Sequence, residues 1–234
     1  MWDGVAKSFD VVSSRSIAHK KKYTDISKII IKKNVRKLLD LGCGSGLLEK
    51  SLFEMGFNGQ VVGVDVSEKM IGIAKKNNAK YSNKITYIKL GIDSDYSIDG
   101  SYDCVVAINL LYLVKDKEKL IEKISHSINK EGLLIIVDPK PKGDLSAMVK
   151  DNLKGKSTLE LICFVLKELK TIYHAFKFMR VQNKLDKKNQ EKTINYSRLS
   201  DLKRIIIKNS FIIEEVGNIQ AGQNWFILAR RVLG

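Results

Sequence analysis

The densest chemistry in the chain lies in eight consecutive residues, Leu39-Asp40-Leu41-Gly42-Cys43-Gly44-Ser45-Gly46. Glycines at every second position let a backbone turn sharply and let a ligand approach the main chain with no Cβ in the way. A helix beginning just after them would point its free N–H groups at that ligand. A dinucleotide pyrophosphate is a poor guest here, for two reasons. Asp40 would repel the phosphates, whereas it would attract a cationic amino-acid group. The dinucleotide fingerprint Gly-x-Gly-x-x-Gly, started at Gly42, needs its third glycine where Leu47 stands. A second acid, Asp65, follows 19 residues after Gly46 at the end of another apolar run. A carboxylate there can accept hydrogen bonds from both hydroxyls of a ribose, as in other doubly wound nucleoside sites. Its competing reading is a turn residue at a strand end.

These groups need elements to hold them, and the chain alternates strand and helix patterns from about residue 35. Residues 35–41 read as a buried strand and 47–55 as the helix after the glycine loop. Residues 60–65 read as a second strand, and Ser67 as the N-cap of a helix to about Asn77, with Glu68 in its first turn. Strands are expected at 85–90, 102–108 and 133–138, with a helix at 117–127 whose apolar positions are Leu120, Ile121 and Ile124. Near-continuous apolar runs mean strands covered on both faces, hence a parallel sheet between two helical layers. A helix at 200–209 and strands at 211–216 and 224–230 close the chain. The short link between the last two strands suits a hairpin, so the sheet should end antiparallel. The expected fold is therefore α/β: a doubly wound, Rossmann-like, mostly parallel seven-stranded sheet with an antiparallel last strand. One domain spans 1–234: a helical N-terminal segment (1–34), a cofactor-binding core (35–139), a helical insertion (140–196) and a C-terminal helix with a strand pair (197–234).

At this point the residues resemble a known family. The run Leu39 to Gly46 looks like the first motif of class I S-adenosylmethionine-dependent methyltransferases. Asp65-Val66-Ser67-Glu68-Lys69-Met70 onward is similar to their second-strand segment, and Tyr102 to Asn109 to their fourth strand and the loop after it. The resemblance implies a methyltransferase that uses S-adenosyl-L-methionine and releases S-adenosyl-L-homocysteine. It implies that Asp40, Gly42, Cys43, Gly44 and Gly46 hold the methionine part and that Asp65 binds the ribose. Val66 and Met70 would pack on the adenine, Ile92 and Asp93 would flank it, and Asn109 would face the methionine end. Relatives often carry Gly-Asp after the third strand, where this chain reads Gly91-Ile92-Asp93, so the acid is displaced by one position. Trp2-Asp3-Gly4-Val5-Ala6-Lys7-Ser8-Phe9-Asp10 resembles the opening of small-molecule methyltransferases, a segment that folds over the cofactor. Phe9 replaces its usual second tyrosine.

The resemblance also narrows the acceptor. Enzymes that methylate exocyclic amines of bases carry a proline pair after the fourth strand, which Ile108-Asn109-Leu110-Leu111-Tyr112 lacks. Cytosine carbon-5 enzymes need a cysteine beside proline, and none of Cys43, Cys104 and Cys163 has one. No carboxylate cluster marks a metal. A sulfonium carries its own activation, so the protein mainly aligns the nucleophile and excludes water. If a base is needed, His19 and His174 are the candidates, with Tyr23, Tyr112 and Tyr173 behind them, whereas His126 reads as a surface or packing residue. Asp138, at the end of the fifth strand, could touch the acceptor.

Charge adds a second axis. The 234 residues carry a net +15. Residues 15–37 hold nine basic residues against one acid, and 140–192 thirteen against six. These segments read first as a solvated, lysine-rich surface; in the functional reading the expected partner, a small molecule, is anionic. An RNA acceptor and a non-catalytic cofactor-binding module remain as alternatives. The insertion is apolar and aromatic from Leu159 to Val181, which suits a lid, a homodimer surface or a membrane-facing patch. No apolar run is long enough to span a membrane and no leader pattern opens the chain, so the expected location is cytoplasmic.

Overall fold

The structure is a computed structural model, and it describes residues 2–92, 100–141, 173–174 and 195–232. Asp93 and most of the insertion, with its expected apolar helix, lie outside the described residues.

After a 3-10 turn at Trp2–Gly4, helices α1 (Ala6–Arg15) and α2 (Ile17–Lys32) lead into strand β1 (Lys37–Leu41). Then follow α3 (Leu47–Glu54), β2 (Gln60–Asp65), α4 (Glu68–Asn77), β3 (Ile85–Lys89), β4 (Tyr102–Ile108) and α5 (Lys117–Ser127). Strand β5 (Ile128–Pro139), helix α6 (Leu199–Lys208) and strands β6 (Phe211–Ile219) and β7 (Asn224–Arg231) complete the order. The sheet order is β3-β2-β1-β4-β5-β7-β6. β1 to β5 run parallel, while β7 is antiparallel to both β5 and β6. This is the expected topology, with β7 inserted between β5 and the edge strand.

Alternation along the strands explains the two-sided core. Leu39, Leu41, Val105, Ala107, Leu134 and Ile136 face α5 and α6, where Leu120, Ile121, Ile124, Leu202 and Ile206 meet them. Leu38, Cys104, Val106, Ile135 and Val137 face the other way, toward Ile26 and Ile30 of α2 and Leu48 and Leu52 of α3. β5 begins five residues earlier than its apolar run suggests. Its polar opening is kinked by Glu131 at φ +63°, and the β4–β5 register shifts between Tyr102 and Cys104, the signature of a bulge.

Parallel strands bring all their carboxyl ends to one edge. Strand β1 starts directly after α2, so the first turn of α2 lies at that edge too. The β6–β7 turn reaches the same place because Asn224 pairs with Pro139. The edge is thus framed by the glycine loop, the start of α2, the loop after β4 and the β6–β7 turn. Among the described residues, no helix is long and apolar enough to cross a membrane.

Candidate functional site

The glycine loop turns as its spacing requires. Gly42, Gly44 and Gly46 have φ of +73°, +54° and +75°, a region that side chains resist. Gly46 is the most constrained of them. A Cβ there would lie 2.6 Å from Asn78 Nδ2 and 2.7 Å from the Tyr87 hydroxyl. Asn78 uses that closeness: its amide donates to Gly46 O at 2.9 Å, to Ala74 O and to the Tyr87 hydroxyl. The loop is therefore fixed from below by α4 and β3.

Asp65 fixes it from the side. Its Oδ2 accepts from Gly44 N at 3.0 Å and its Oδ1 from Ser67 N at 2.8 Å. One carboxylate at the end of β2 thus ties the loop after β1 to the turn that opens α4. Ser67 is the N-cap foreseen, its hydroxyl accepting from Met70 N at 3.1 Å. Val66, between the two, is 54% exposed, an apolar surface open to a planar ring. Met70 is buried behind it, and Ile92 is partly buried against the α5-side core.

The N-terminal segment folds over this turn. Asp3 accepts from the Ser67 hydroxyl and from Lys69 N, and Asp10 accepts from Asn77, which also donates to Ser45 O. Phe9 Cε1 lies 3.5 Å from where a Gly44 Cβ would stand. The residue that replaces a tyrosine therefore covers the glycine loop with a bare ring.

Beneath the loop sits a set of buried ionisable groups. Asp40 is 3% exposed, and its Oδ1 has no hydrogen-bond partner among the described residues. Burial pushes its carboxyl up to about 7, and the negative charge of Asp65 pushes the same way. Glu49, in the first turn of α3, is wholly buried, and neither oxygen has a partner among the described residues. Burial, then the charge of Asp40, holds its carboxyl well above the ordinary range. Burial raises the Cys43 thiol as well, which makes it an inert wall of the loop. The Tyr23 hydroxyl is raised by burial and then by the fields of Asp40, Glu49 and Asp10, which places α2 beside the same cluster.

Lys22, like Glu49, is a feature that sequence reading missed. It is fully buried, with its ammonium 4.7 Å above the Tyr23 ring and without a hydrogen-bond partner among the described residues. Burial pushes it down to about 7. Its neighbour one turn earlier, His19, is pushed down to about 3 by burial and by Lys22. His19 is therefore neutral, with Nε2 3.3 Å from the Gln220 amide of the β6–β7 turn. A group so weakly basic is poorly matched to proton abstraction near neutrality. His174 is buried with Nδ1 3.1 Å from the Ser8 hydroxyl, so it reaches α1. Tyr173 is exposed, while Tyr112 is buried and stacked on Tyr196. His126 is exposed, as read.

Asn109 holds φ +53° directly after β4, and its Oδ1 accepts from the amide of buried Asn224. Such strain in a non-glycine residue is common at functional sites. Asp138 is fully buried, accepting from Tyr112 N at 3.3 Å and from Leu111 N. It holds the 3-10 turn at Leu111–Leu113, a fixed structural duty, and burial pushes its carboxyl up to about 7. No group of metal ligands occurs among the described residues.

Comparison with known proteins gives a consistent picture. Residues 31–198 match the profile of a methyltransferase domain. Among curated proteins, a ubiquinone biosynthesis O-methyltransferase of Dechloromonas aromatica is 28% identical over 117 residues, 49% of this chain and 50% of the relative. A protein of the same name from Pelagibacter ubique is 34% identical over 104 residues, 44% of this chain and 42% of the relative. The aligned stretches thus span about half the length of these relatives, or less. Among solved structures, magnesium protoporphyrin IX methyltransferase of Synechocystis with bound S-adenosylhomocysteine has a TM-score of 0.62 at 17% identity, covering 92% of this chain and 84% of that one. An S-adenosylmethionine-dependent methyltransferase of Clostridium acetobutylicum has a TM-score of 0.64 at 11% identity, covering 99% of both chains. At these identities the structures establish the shared fold.

Proposed function

The chain belongs to the methyltransferase-domain family, and from that premise we propose that it moves a methyl group from S-adenosyl-L-methionine to a nucleophilic atom of a small molecule. The observation that carries this reading is the glycine loop after β1, braced by Asp65 through Gly44 N and set directly after buried Asp40, whose Oδ1 has no partner among the described residues. The ammonium of an α-amino acid head group needs an acidic partner, and Asp40 is read as that partner. Gly42, Cys43, Gly44 and Gly46 leave the main chain bare for the methionine stem, Asp65 faces the ribose and Val66 the adenine.

S-adenosyl-L-methionine supplies the chemistry, an electrophilic methyl on a sulfonium, and leaves as S-adenosyl-L-homocysteine. The protein's part is alignment and exclusion of water. Phe9 closes the loop from the α1 side, and Asn109, held by Asn224, frames the acceptor side. His174, held by Ser8 on α1, is the better-placed base where an acceptor proton must leave, since burial makes His19 a weak base. The acceptor is read as a small molecule from the relatives that carry that activity, and their names favour an oxygen over a nitrogen or carbon atom. The insertion 140–196 is read as a lid over the acceptor.

The test is incubation with methyl-labelled donor and cell extract, followed by separation of small metabolites, RNA and protein. Label in the small-molecule fraction supports the reading. Label confined to RNA would replace it with an RNA acceptor bound by the basic segments, and donor binding without transfer would leave a cofactor-binding module.

A further inference from the structure

We propose that Asp40 and Glu49 form a proton-exchange site beneath the glycine loop: the ammonium of the methyl donor displaces a proton from Asp40, and protonated Glu49 supplies the polar surroundings in which Asp40 then carries its charge. This rests on the reading of the loop as the seat of the methyl donor. Glu49 is a positioning residue that acts through Asp40.

The geometry starts from Gly63, in the middle of β2. A Cβ there would lie 2.8 Å from Glu49 Oε1 and 2.8 Å from the Tyr87 ring. A glycine inside a strand weakens it and marks a close approach. Here β2 gives up a side chain to make room for a carboxyl that bonds to nothing among the described residues. The space would suit an apolar side chain better, unless the polar group has work to do.

The charged and titratable groups around the pair are Asp65 from β2, Tyr87 from β3, Cys104 from β4, Cys43 from the loop and Tyr23 from α2, with Asp10 from α1 acting on Tyr23. Asp3 acts on Asp65. No cation is among the groups whose fields act on Asp40 or Glu49. Lys22 stands over the Tyr23 ring instead. Two buried carboxyls without a counter-charge hold their protons. A ligand ammonium changes this balance at Asp40, the nearer of the two to the loop glycines in sequence. The Asp40 O–H bond breaks, the proton goes to solvent, and the ammonium keeps its own protons. A neutral carboxyl and a cation become an ion pair and one free proton. Glu49 keeps its proton, because its own oxygens gain no partner.

The experiment is calorimetry with S-adenosylhomocysteine near pH 6, in phosphate and in a buffer of higher ionisation enthalpy. Wild type is expected to release roughly 0.5–1 proton per ligand bound, and Asp40→Asn to release none. Glu49→Leu leaves Asp40 alone in an apolar pocket, so Kd rises about tenfold and the midpoint of release moves up by about one pH unit. Glu49→Gln keeps a polar group of the same shape and returns both values toward wild type. Thermal unfolding shows which variants are folded, and the rescue by Gln separates a polar role from a packing defect. Binding by wild type without proton release overturns the proposal, as does a folded Glu49→Gln that behaves like Glu49→Leu. Wild-type protein that binds neither S-adenosylhomocysteine nor S-adenosylmethionine removes the loop reading itself, and the proton-exchange site with it.

Discussion

Replacing Asp65 tests a side chain that braces the glycine loop and is proposed to hold the ribose. Its carboxylate accepts from Gly44 N and Ser67 N at 3.0 and 2.8 Å. Hydrogen bonds to a charged group contribute roughly 1.5–3 kcal/mol each. Asp65 is only partly buried, so the lower end applies and Asp65→Ala is expected to cost about 3 kcal/mol of stability. For a domain of this size that lowers Tm by roughly 6–12 °C. A carboxylate has about four lone-pair sites, so two bonds to the backbone leave capacity for the ribose hydroxyls. Losing those contacts is expected to cost about 1–3 kcal/mol of binding, a rise of roughly 5- to 150-fold in Kd. Asp65→Asn gains little over alanine in stability, because the amide presents N–H to one of the two N–H donors. Thermal unfolding reads the first job and calorimetry with S-adenosylhomocysteine the second. A lower Tm with unchanged Kd in the folded variant would reduce Asp65 to a brace of the loop and refute its ribose role.

Three further outcomes are expected. Gly46→Ala places a Cβ against Asn78 and Tyr87 at positive φ and should lose roughly 2–4 kcal/mol in urea unfolding, with cofactor binding abolished; a loss below measurement error would contradict the close approach. Asp3→Ala removes the acceptor of Ser67 Oγ and Lys69 N, so amides of residues 6–15 should exchange faster while the sheet stays protected, and S-adenosylhomocysteine should bind about 3- to 10-fold more weakly. The Asp138 carboxyl is raised to about 7 in the folded protein, so its stabilising contribution is complete below its unfolded value and is lost as pH rises through 7. Asp138→Asn should therefore match wild type near pH 4 and gain on it by up to about 1.4 kcal/mol per pH unit above that, up to pH 7; parallel stability–pH curves in denaturant titrations would show that Asp138 is not the titrating group.

What could be read in the sequence is what local pattern encodes. The glycine spacing, the Ser67 cap and the apolar strands each announce themselves within a few residues, and the short link before Asn224 announces the antiparallel finish. The start of β5 was hidden because Asn129-Lys130-Glu131-Gly132 reads as a turn, yet a bulge keeps it in the sheet. Lys22 was hidden in a run of three lysines that composition assigns to solvent. The stripe His19, Lys22, Ile26 and Ile30 puts it on the buried face of α2, and a helical-period count would have shown it. Glu49 stands in the first turn of α3, where an acid is ordinary, and its burial and the Gly63 contact show that it points inward. The partners of Asp138 on the 3-10 turn come from residues 26 and 27 positions away, a relation that spacing does not encode.

The buried polar groups differ in what already holds them. Asp138 accepts from two backbone N–H groups, and the Lys117 ammonium donates to Asn195 O, so both help to hold the loop after β4. Asn78 spends its amide on the glycine loop and Tyr87. Asp40 Oδ1, both Glu49 oxygens and the Lys22 ammonium have no partner among the described residues, and neither do Asp138 Oδ2 and Asn78 Oδ1. Each such atom costs free energy as it stands. At Asp40 a ligand of opposite charge would relieve part of that cost, and the stabilisation on binding would include the relief. Its position two residues before Gly42 is what makes Asp40, among these groups, the one to test with a cationic ligand.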